Sequence, residues 1–538
     1  MLIRQYRWPA GALALFTALT VVHLWPMAAA PGVWSRNDAP DYVLHEWIMA
    51  WVAHQIVADP LHLFDANIFY PDRHTLAYSD HLILQSLMGA PLTWSGGSPV
   101  LVHNLVLMAG FVLTGWTTAL VVAAWTGNRT AGVLSGSLLA FNSFTLTRLA
   151  QMQDLHLEFF APALFALDRF IVTAQTKDAL KLAGWFVLQA LTGTYVMLFT
   201  AISLVVAAAA RAGEFAGRRF VPTASRALLA AAVATVVLAP VLVPYVVASR
   251  EVGLSRSLQE TAEYAAEWTD YLAAAGRLHF GWWSGRFFKG DALFPGVVAL
   301  LLTMVTLGAG IAFTDRRARM VLAVGLAALM LSFGPSLPFY DWLYFLFPPL
   351  TLIRGVVRFG QIVLAAVAIL AGFGLAWVMT RFRGRAVAVA AILLVIVANG
   401  EALRAPFGYT RYEGISKLYD VLRTTGGDTV VVSMPFYPTA SFHFNTTFML
   451  GSTRFWKPIV NGYSGFKPPS LYANVEQLRG FPDDRSMAHL GELGVTHVVV
   501  DARHMPEADV NRVAQYPQLR LMFTDGWLRL YSLSQRAP

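Results

Sequence analysis

The sequence predicts a mainly α-helical membrane protein that crosses the bilayer about eleven times and ends in a small α/β domain. Three observations lead to this fold class. Of the 538 residues, 56% are hydrophobic and only 13% are charged, whereas about a quarter of the residues in soluble proteins are charged. Apolar runs of span length recur through residues 1–404. From residue 405 onward, strand patterns alternate with helix patterns, as in a small α/β domain.

The composition also excludes several classes of protein. The net charge of +8 does not indicate nucleic-acid binding, because the basic residues stand in small clusters between apolar runs. The chain has no cysteine, so it has no disulfide framework, no cysteine zinc site and no thiol nucleophile. A cleaved signal peptide is the alternative to a first span, since Arg4 and Arg7 precede the first apolar run. Its length of about 20 residues favours a span.

The apolar runs set the number of spans. They fall at residues 9–30, 99–125, 130–148, 157–174, 182–193, 194–210, 227–249, 293–313, 319–335, 358–380 and 386–403. The stretch 182–210 is basic at both ends, so it must go out and return, with a break at residues 191–195. Such a break implies a cavity lined by protein, because irregular backbone is not tolerated against lipid.

Basic clusters between the runs set the orientation, because cytoplasmic loops carry the excess of lysine and arginine. The clusters all fall on one side of the predicted membrane: Arg4/Arg7, Arg129, Lys177/Lys181, Arg211/Arg218/Arg219/Arg226, Arg316/Arg317/Arg319 and Arg381/Arg383/Arg385. This pattern predicts a multi-pass membrane protein with a cytoplasmic N-terminus. The loops 31–81 and 250–292 and the tail 405–538 then lie outside the cytoplasm.

The tail is predicted to form an extracytoplasmic α/β domain of residues 405–538, separate from a membrane domain of residues 1–404. Short buried strands are expected at residues 428–435 and 496–504. Helices are expected at residues 469–481 and 483–494, followed by a hairpin over 520–533 that turns at Asp525-Gly526.

The loop 31–81 carries carboxylates where a connecting loop would need none. Asp41 stands at the expected start of a helix over residues 42–57, with Asp38 before it, His45 one turn later and Asp80 near the end of the loop. Carboxylates beside a membrane cavity are costly, so they indicate a site. The alternative is that Asp41 only caps the helix and that the helix lies flat on the membrane surface.

A second constellation is basic. The stretch "IRGVVRFG" puts Arg354 and Arg358 at i and i+4, which predicts that they share one helix face. A guanidinium binds phosphate oxygens through two donors, so the pair would suit a lipid phosphate. The alternative is that both arginines only reach toward the membrane interface.

Two further stretches carry candidate substrate-binding residues. Arg148, Gln151 and His156 offer donors and acceptors that suit sugar hydroxyls, although a solvated turn would look similar. In the tail, a tight turn at Asn461, Tyr463 and Ser464 is either an ordinary loop or a lid whose tyrosine stacks on a sugar ring.

A metal site is less well supported. His45, Asp80, His81 and His156 are candidate ligands, but no close-spaced ligand motif is present. We therefore predict no metal ligands, and a divalent cation, Mg²⁺ or Mn²⁺, stays open as a cofactor.

These segments together resemble the GT-C superfamily of integral-membrane glycosyltransferases. The resemblance is carried by "NDAPDYVLHEW" (37–47), "DPLHLFDANIFYPDRHTLAYSDHL" (59–82), "RLAQMQDLHL" (148–157), "IRGVVRFG" (353–360) and "VNGYSGF" (460–466). It implies a multi-span body, a polyprenyl-phosphate sugar donor and a catalytic carboxylate at the start of the first outer loop, the position of Asp41. The superfamily's adjacent acidic pair is absent, since Ala39-Pro40 separates Asp38 from Asp41. The tail also lacks the "WWDYG" type of motif, which argues against oligosaccharide transfer to asparagine.

The expected activity is an inverting transfer of a sugar from the carrier to a cell-envelope glycan, lipid or protein. Asp41 would act as general base, and Arg354 and Arg358 would stabilise the leaving phosphate. The expected partners are the polyprenyl-phosphate donor and membrane lipids, and no nucleic acid. The alternatives are a flippase for a lipid-linked sugar and a membrane-anchored sensor.

The orientation gives the first testable prediction. A reporter enzyme that works only outside the cytoplasm should be active when it is fused after Pro538, because an odd number of spans places the tail opposite the N-terminus. The measurement is reporter activity in whole cells, with a fusion after Arg383 as the inactive control. Activity of the Arg383 fusion alone would contradict the orientation.

Overall fold

The computed structural model describes residues 2–36, 39–253 and 255–534. Helices hold 66% of the chain and the four-stranded sheet is confined to its C-terminal part, which confirms the mainly α-helical fold class with a small C-terminal sheet region. The helices, in chain order, are α1 (Leu2–His23), α2 (Pro40–Ala58), α3 (Ile83–Trp94), α4 (Pro99–Thr126), α5 (Arg129–Ala140), α6 (Ser143–Thr147), α7 (Phe160–Thr173), α8 (Thr176–Ala190), α9 (Thr194–Ala209), α10 (Phe220–Val252), α11 (Leu258–Glu263), α12 (Arg277–His279), α13 (Val297–Gly308), α14 (Ile311–Thr314), α15 (Arg316–Ser332), α16 (Phe339–Leu346), α17 (Gly360–Arg381), α18 (Arg385–Ala402), α19 (Leu418–Thr424), α20 (Asn445–Ser452), α21 (Pro469–Leu478), α22 (Asp484–Glu492) and α23 (Glu507–Val513). The strands are β1 (Trp34–Ser35), β2 (Thr410–Arg411), β3 (Val431–Met434), β4 (His497–Asp501), β5 (Leu519–Asp525) and β6 (Leu528–Leu533).

The chain divides into two compact units. The first unit comprises Met1–Pro31, Asn104–Pro240 and Ser255–Tyr409, and the second comprises Gly32–His103, Val241–Leu254 and Thr410–Pro538. The loop 31–81 thus falls almost wholly in the same unit as the tail. The predicted division between residues 404 and 405 stays a prediction.

The first unit is built around helix α17. This apolar helix packs against α5, α13 and α15, and most of its side chains are buried. Two glycines allow the close packing: a Cβ at Gly372 would collide with the Ser135 hydroxyl on α5, and one at Gly374 would collide with the Leu302 carbonyl on α13. Small residues bring membrane helices together in this way because the backbones can approach closely.

Several helices are long and apolar enough to cross a membrane. Among the described residues these are Pro99–Thr126, Gly217–Val252, Val356–Arg381 and Arg385–Ala402, and shorter apolar helices occupy Trp8–His23, Thr194–Ala209 and Val297–Gly308. They coincide with predicted spans, while the total of about eleven stays a prediction.

Two expected features of the spans can be compared with the structure. The expected break within residues 191–195 is confirmed, since α8 ends at Ala190 and α9 begins at Thr194. The apolar run 130–148 forms two shorter helices, because the chain breaks between α5 and α6. There Asn142 caps α6 and receives a hydrogen bond from the Thr145 N–H, and an asparagine that caps a new helix ends the one before it.

Several basic clusters meet at one end of the first unit. Arg211 donates to the buried Asp168 carboxylate at 2.6 Å, and Arg317 donates to its other oxygen at 3.1 Å. Arg317 also donates to the Trp125 carbonyl at 2.9 Å, just before Arg129 in the chain. Clusters that are far apart in sequence therefore share one end of this unit, as their assignment to one side of the membrane requires. Which side of the membrane this end faces stays a prediction.

The second unit contains a four-stranded sheet with the order β3-β4-β6-β5. Strands β3 and β4 are parallel, with Val432 opposite Val498, and the other pairs are antiparallel. Gly526 has a φ of 57° in the turn between β5 and β6, a conformation that glycine adopts without strain. The predicted strands, helices and hairpin of the tail are thus all present.

Helix α2 is buried in the second unit, where it packs against α3 and α20. Every side chain from Tyr42 to Ala53 is buried by protein, so the alternative of a helix that lies flat on a membrane surface is wrong. Among these side chains is Glu46, which is fully buried and accepts a hydrogen bond from the Ser35 hydroxyl at 3.0 Å. Burial raises the pKa of Glu46 from 4.5 to about 8, because the charged form loses its hydration.

The raised pKa of Glu46 predicts a pH-dependent stability. Between about pH 4.5 and pH 8 the folded state keeps a proton that the unfolded state releases, so stability should fall as pH rises through this window. Glu46→Gln has no proton to lose, and its melting midpoint should stay several degrees higher than that of the parent protein above pH 8. The measurement is the melting midpoint in detergent from pH 5 to pH 9, with the exposed Glu413→Gln as the matched control. Parallel curves for all three proteins would contradict a proton on Glu46.

Candidate functional site

Asp41 lies in the first turn of α2. The cap position is Ala39, which has no side chain that can cap, and Pro40 is the first helical residue. Asp41 is therefore inside the helix rather than at its cap. In this first turn, free N–H groups and the helix dipole favour a negative charge. Its carboxylate oxygen Oδ1 accepts a hydrogen bond from the Tyr463 hydroxyl at 2.8 Å. This contact joins two candidate site residues that are 422 positions apart.

The neighbours of Tyr463 in the chain are used inside the fold. Asn461 is fully buried. Its amide nitrogen donates to the Ser433 carbonyl at 2.9 Å, and its amide oxygen accepts from the Ser433 N–H at 2.6 Å. Ser464 is also buried. The structure thus gives Asn461 a role in holding the turn, and only Tyr463 of the three is partly exposed.

The remaining acidic and histidine candidates of the loop 31–81 are mostly buried. Asp80 and His81 are 6% and 1% exposed, and the His81 ring accepts from the Ile83 N–H at 3.1 Å. His45 is 3% exposed, one turn after Asp41 on α2. Asp38 lies outside the described residues, so its predicted role stays a prediction.

In the first unit, a buried carboxylate brings two arginines together. Asp154 is fully buried, and one of its oxygens lies 3.6 Å from Arg358 Nε and 4.0 Å from Arg148 Nη1. Arg148 also donates to Asp291. Sequence reasoning missed Asp154, although a buried acid is the kind of residue that needs a cation beside it.

The expected helix face of Arg354 and Arg358 is wrong. Residues Pro348–Leu352 and Val356–Phe359 form separate 3₁₀ turns, and α17 begins only at Gly360. The prolines before Arg354 and Gly355 after it break the helix, so the i,i+4 rule does not apply. Arg354 instead lies 3.6 Å from Glu260 and above the Tyr264 ring, while Arg358 lies above the Tyr195 ring.

His156 and its surroundings are buried in the same unit. His156 and Glu158 are at most 1% exposed, and their side chains are hydrogen-bonded at 2.8 Å. Gln189 donates to the His156 carbonyl at 2.8 Å. A Cβ on Gly110 would stand 2.9 Å from the His156 ring nitrogen Nε2, so glycine makes room for the ring. The predicted sugar-binding residue Gln151 lies at the start of this segment and is half-buried.

The charged side chains offer little for a metal ion. In the part of the chain that the structure describes, no group of three or more histidine, aspartate or glutamate side chains could hold a metal. Asp41 accepts a hydrogen bond from Tyr463, and Asp154 is paired with Arg358. A divalent cation, Mg²⁺ or Mn²⁺, stays open as a cofactor.

Comparisons with known proteins bear on the fold. No protein-family model matches the sequence, and no curated protein matches it. Among solved structures, the arabinofuranosyltransferase AftD from Mycobacteria matches 99% of this chain with 17% identity and a TM-score of 0.64. This chain spans 40% of the length of AftD.

An archaeal structure gives a second match. The oligosaccharyltransferase AglB from Archaeoglobus fulgidus, in complex with an inhibitory peptide and a dolichol-phosphate, matches 100% of this chain and 75% of its own, with 13% identity and a TM-score of 0.50. A further structure of the Archaeoglobus fulgidus enzyme, tethered with an acceptor peptide, matches 98% of this chain and 74% of its own at 13% identity and a TM-score of 0.50. The chain therefore shares the fold of these solved structures, which is the fold that the resemblance implies.

Proposed function

We propose that this chain is a membrane glycosyltransferase that moves a sugar from a polyprenyl-phosphate carrier to a hydroxyl of an extracytoplasmic acceptor. The observation that carries the proposal is the Asp41 carboxylate, which stands in the first turn of a buried helix and is held by the Tyr463 hydroxyl. The fold shared with AftD and AglB supports the same class of activity. The acceptor is a glycan, lipid or protein of the cell envelope, and the membrane is the bacterial inner membrane.

The reaction is a single displacement that inverts the anomeric carbon. The acceptor oxygen forms a bond to that carbon while the bond from the carbon to the phosphate oxygen breaks, and the electron pair leaves with the phosphate. Asp41 takes the proton of the acceptor hydroxyl as general base. Positive character at the carbon and negative charge on the leaving group then need fixed charges around them.

We assign the binding of a lipid phosphate to arginines of the first unit. Arg358 and Arg148 come from distant parts of the chain and lie near the same Asp154 oxygen. Their mutual repulsion is offset by this buried acid, and a guanidinium is a group that binds phosphate oxygens through two parallel donors. Arg354 has a 38% exposed side chain beside the partly exposed Glu260, so its contribution is smaller. The dolichol-phosphate bound to AglB is a ligand of this chemical kind.

The role of Asp41 can be tested by Asp41→Asn. The amide keeps the shape of the side chain and can still accept from Tyr463, so the protein should fold. Transfer should fall roughly 10²- to 10⁴-fold, the usual contribution of a positioned base. The measurement is transfer of labelled sugar from a polyprenyl-phosphate donor to a membrane acceptor by the purified proteins.

The matched control is Asp59→Asn at the other end of α2, where a 48% exposed acid pairs with His62; its transfer should be unchanged. Equal transfer by the parent and Asp41→Asn would indicate that the general base is Asp38 or Asp80 instead of Asp41. Flipping of the lipid-linked sugar without any transfer by the parent would favour the transporter.

The arginine assignment can be tested by lysine substitutions. Arg358→Lys should weaken the binding of polyprenyl phosphate roughly tenfold, because an ammonium lacks the two-pronged guanidinium. Arg354→Lys should weaken it by less, since its side chain is more exposed. The measurement is a binding titration with polyprenyl phosphate alone, and Arg383→Lys in the exposed turn after α17 is the control. Unchanged affinity for Arg358→Lys would remove this arginine from the phosphate site.

A further inference from the structure

The contact between Tyr463 and Asp41 is short and lies within one compact unit. The hydroxyl and the carboxylate oxygen are 2.8 Å apart, and both residues belong to the second unit. A hydrogen bond to an ionised carboxylate is about twice as strong as one between neutral groups. The contact therefore restrains the side chain of Asp41.

Contacts of its backbone, its ring and the preceding glycine hold Tyr463 in place. Its N–H donates to the Met449 sulfur at 3.1 Å, and its ring lies 4.8 Å from the Phe442 ring. The preceding residue, Gly462, has no space for a side chain, because a Cβ there would stand 2.6 Å from atoms of the Phe69 ring. The tyrosine thus has few alternative positions.

Buried amides anchor the same turn to the sheet. Asn461 is bonded to the backbone of Ser433 on β3 through both atoms of its amide group. Its amide nitrogen also donates to the Asn445 side chain at 3.1 Å, and Asn445 donates to the Gly462 carbonyl at 3.2 Å. Ser433, Asn445 and Asn461 are all buried, and hydrogen bonds between buried groups are costly to break.

Backbone hydrogen bonds join the turn to the loop 31–81. The Ile459 N–H donates to the Asn67 carbonyl at 2.8 Å, and the Tyr70 N–H donates to the Ile459 carbonyl at 3.0 Å. The Phe69 N–H donates to the Asn461 carbonyl at 3.2 Å. The segment that carries Tyr463 is therefore tied both to the tail sheet and to the loop that leads from α2.

We infer that Tyr463 is a positioning residue for Asp41: its hydroxyl holds the carboxylate in the orientation in which it accepts the proton of the acceptor hydroxyl. This inference rests on the proposed function. An ionised carboxylate has about four lone-pair sites, so it can accept from Tyr463 and from an acceptor hydroxyl together. Tyr463 acts through Asp41 and takes no proton itself.

The experiment compares kcat and KM for Tyr463→Phe. Phenylalanine keeps the ring and its contact with Phe442 but loses the donor. The kcat for sugar transfer should fall roughly tenfold, the value expected for the loss of one hydrogen bond to a charged group. The KM values for donor and acceptor should change by less than about twofold, because a positioning group acts on the chemical step.

Two comparisons separate positioning from other roles. Tyr472→Phe removes a hydroxyl from an exposed tyrosine of the same tail and should leave both constants unchanged. In the Asp41→Asn background, Tyr463→Phe should cause no further loss, since residues that act as a unit are not additive. The melting midpoints of all variants show whether each protein is folded.

Other results would overturn the inference. An unchanged kcat in an active Tyr463→Phe protein would do so, as would a raised KM for the acceptor at constant kcat, which is the mark of a hydroxyl that binds substrate. Equal losses in the parent and the Asp41→Asn background would show that Tyr463 acts independently of Asp41. If the parent transfers no sugar at all, it is the proposed function that fails. The contact is then tested by a double-mutant cycle on the melting of the two single variants and the double variant, where additive effects would overturn it.

Discussion

The hydrogen bond from Tyr463 to Asp41 can form only because the first loop and the tail fold into one compact unit. Asp41 and Tyr463 are 422 positions apart in the chain, so many other contacts must hold their two segments together for this hydrogen bond to form. The short β1 and β2 pair, with Trp34 opposite Arg411, supplies one such contact. The ladder between residues 67–70 and 459–461 supplies another. The candidate base is thus a product of tertiary structure rather than of the loop alone.

Charge in this apolar chain follows a second constraint, because a buried ion without a partner would cost several kcal/mol. Asp168 and Asp154 are both buried, and each is paired with arginines of the first unit, Asp154 with the nearby Arg148 and the distant Arg358. Glu46 meets the same constraint differently, since it accepts a hydrogen bond from the neutral Ser35 hydroxyl and keeps its proton instead. Pairing or protonation therefore decides where the few charged residues of such a chain can be buried.

The sequence was sufficient to predict the features that depend on interactions between residues close together in the chain. The start of α2 near Asp41, the break between α8 and α9, and the strands of the tail follow from helix entry signals, helix breakers and the period of apolar residues. The prediction that Arg354 and Arg358 share a helix face failed because two prolines and a glycine interrupt the helix there. The pairings of Tyr463 with Asp41 and of Asp154 with Arg358 could not be predicted, since no local pattern specifies contacts between distant residues.

The tail can then be understood as part of the candidate site rather than as an added module. Asn461 links the turn that carries Tyr463 to the edge strand β3. Strand β3 in turn pairs with the central strand β4. A disturbance of this sheet would displace the tyrosine hydroxyl, even though the sheet itself contains none of the groups assigned to the reaction. A proton acceptor needs its geometry held to within a fraction of an ångström. A rigid sheet meets that requirement better than a mobile loop, so the orientation of Asp41 depends on the folding of the last quarter of the chain.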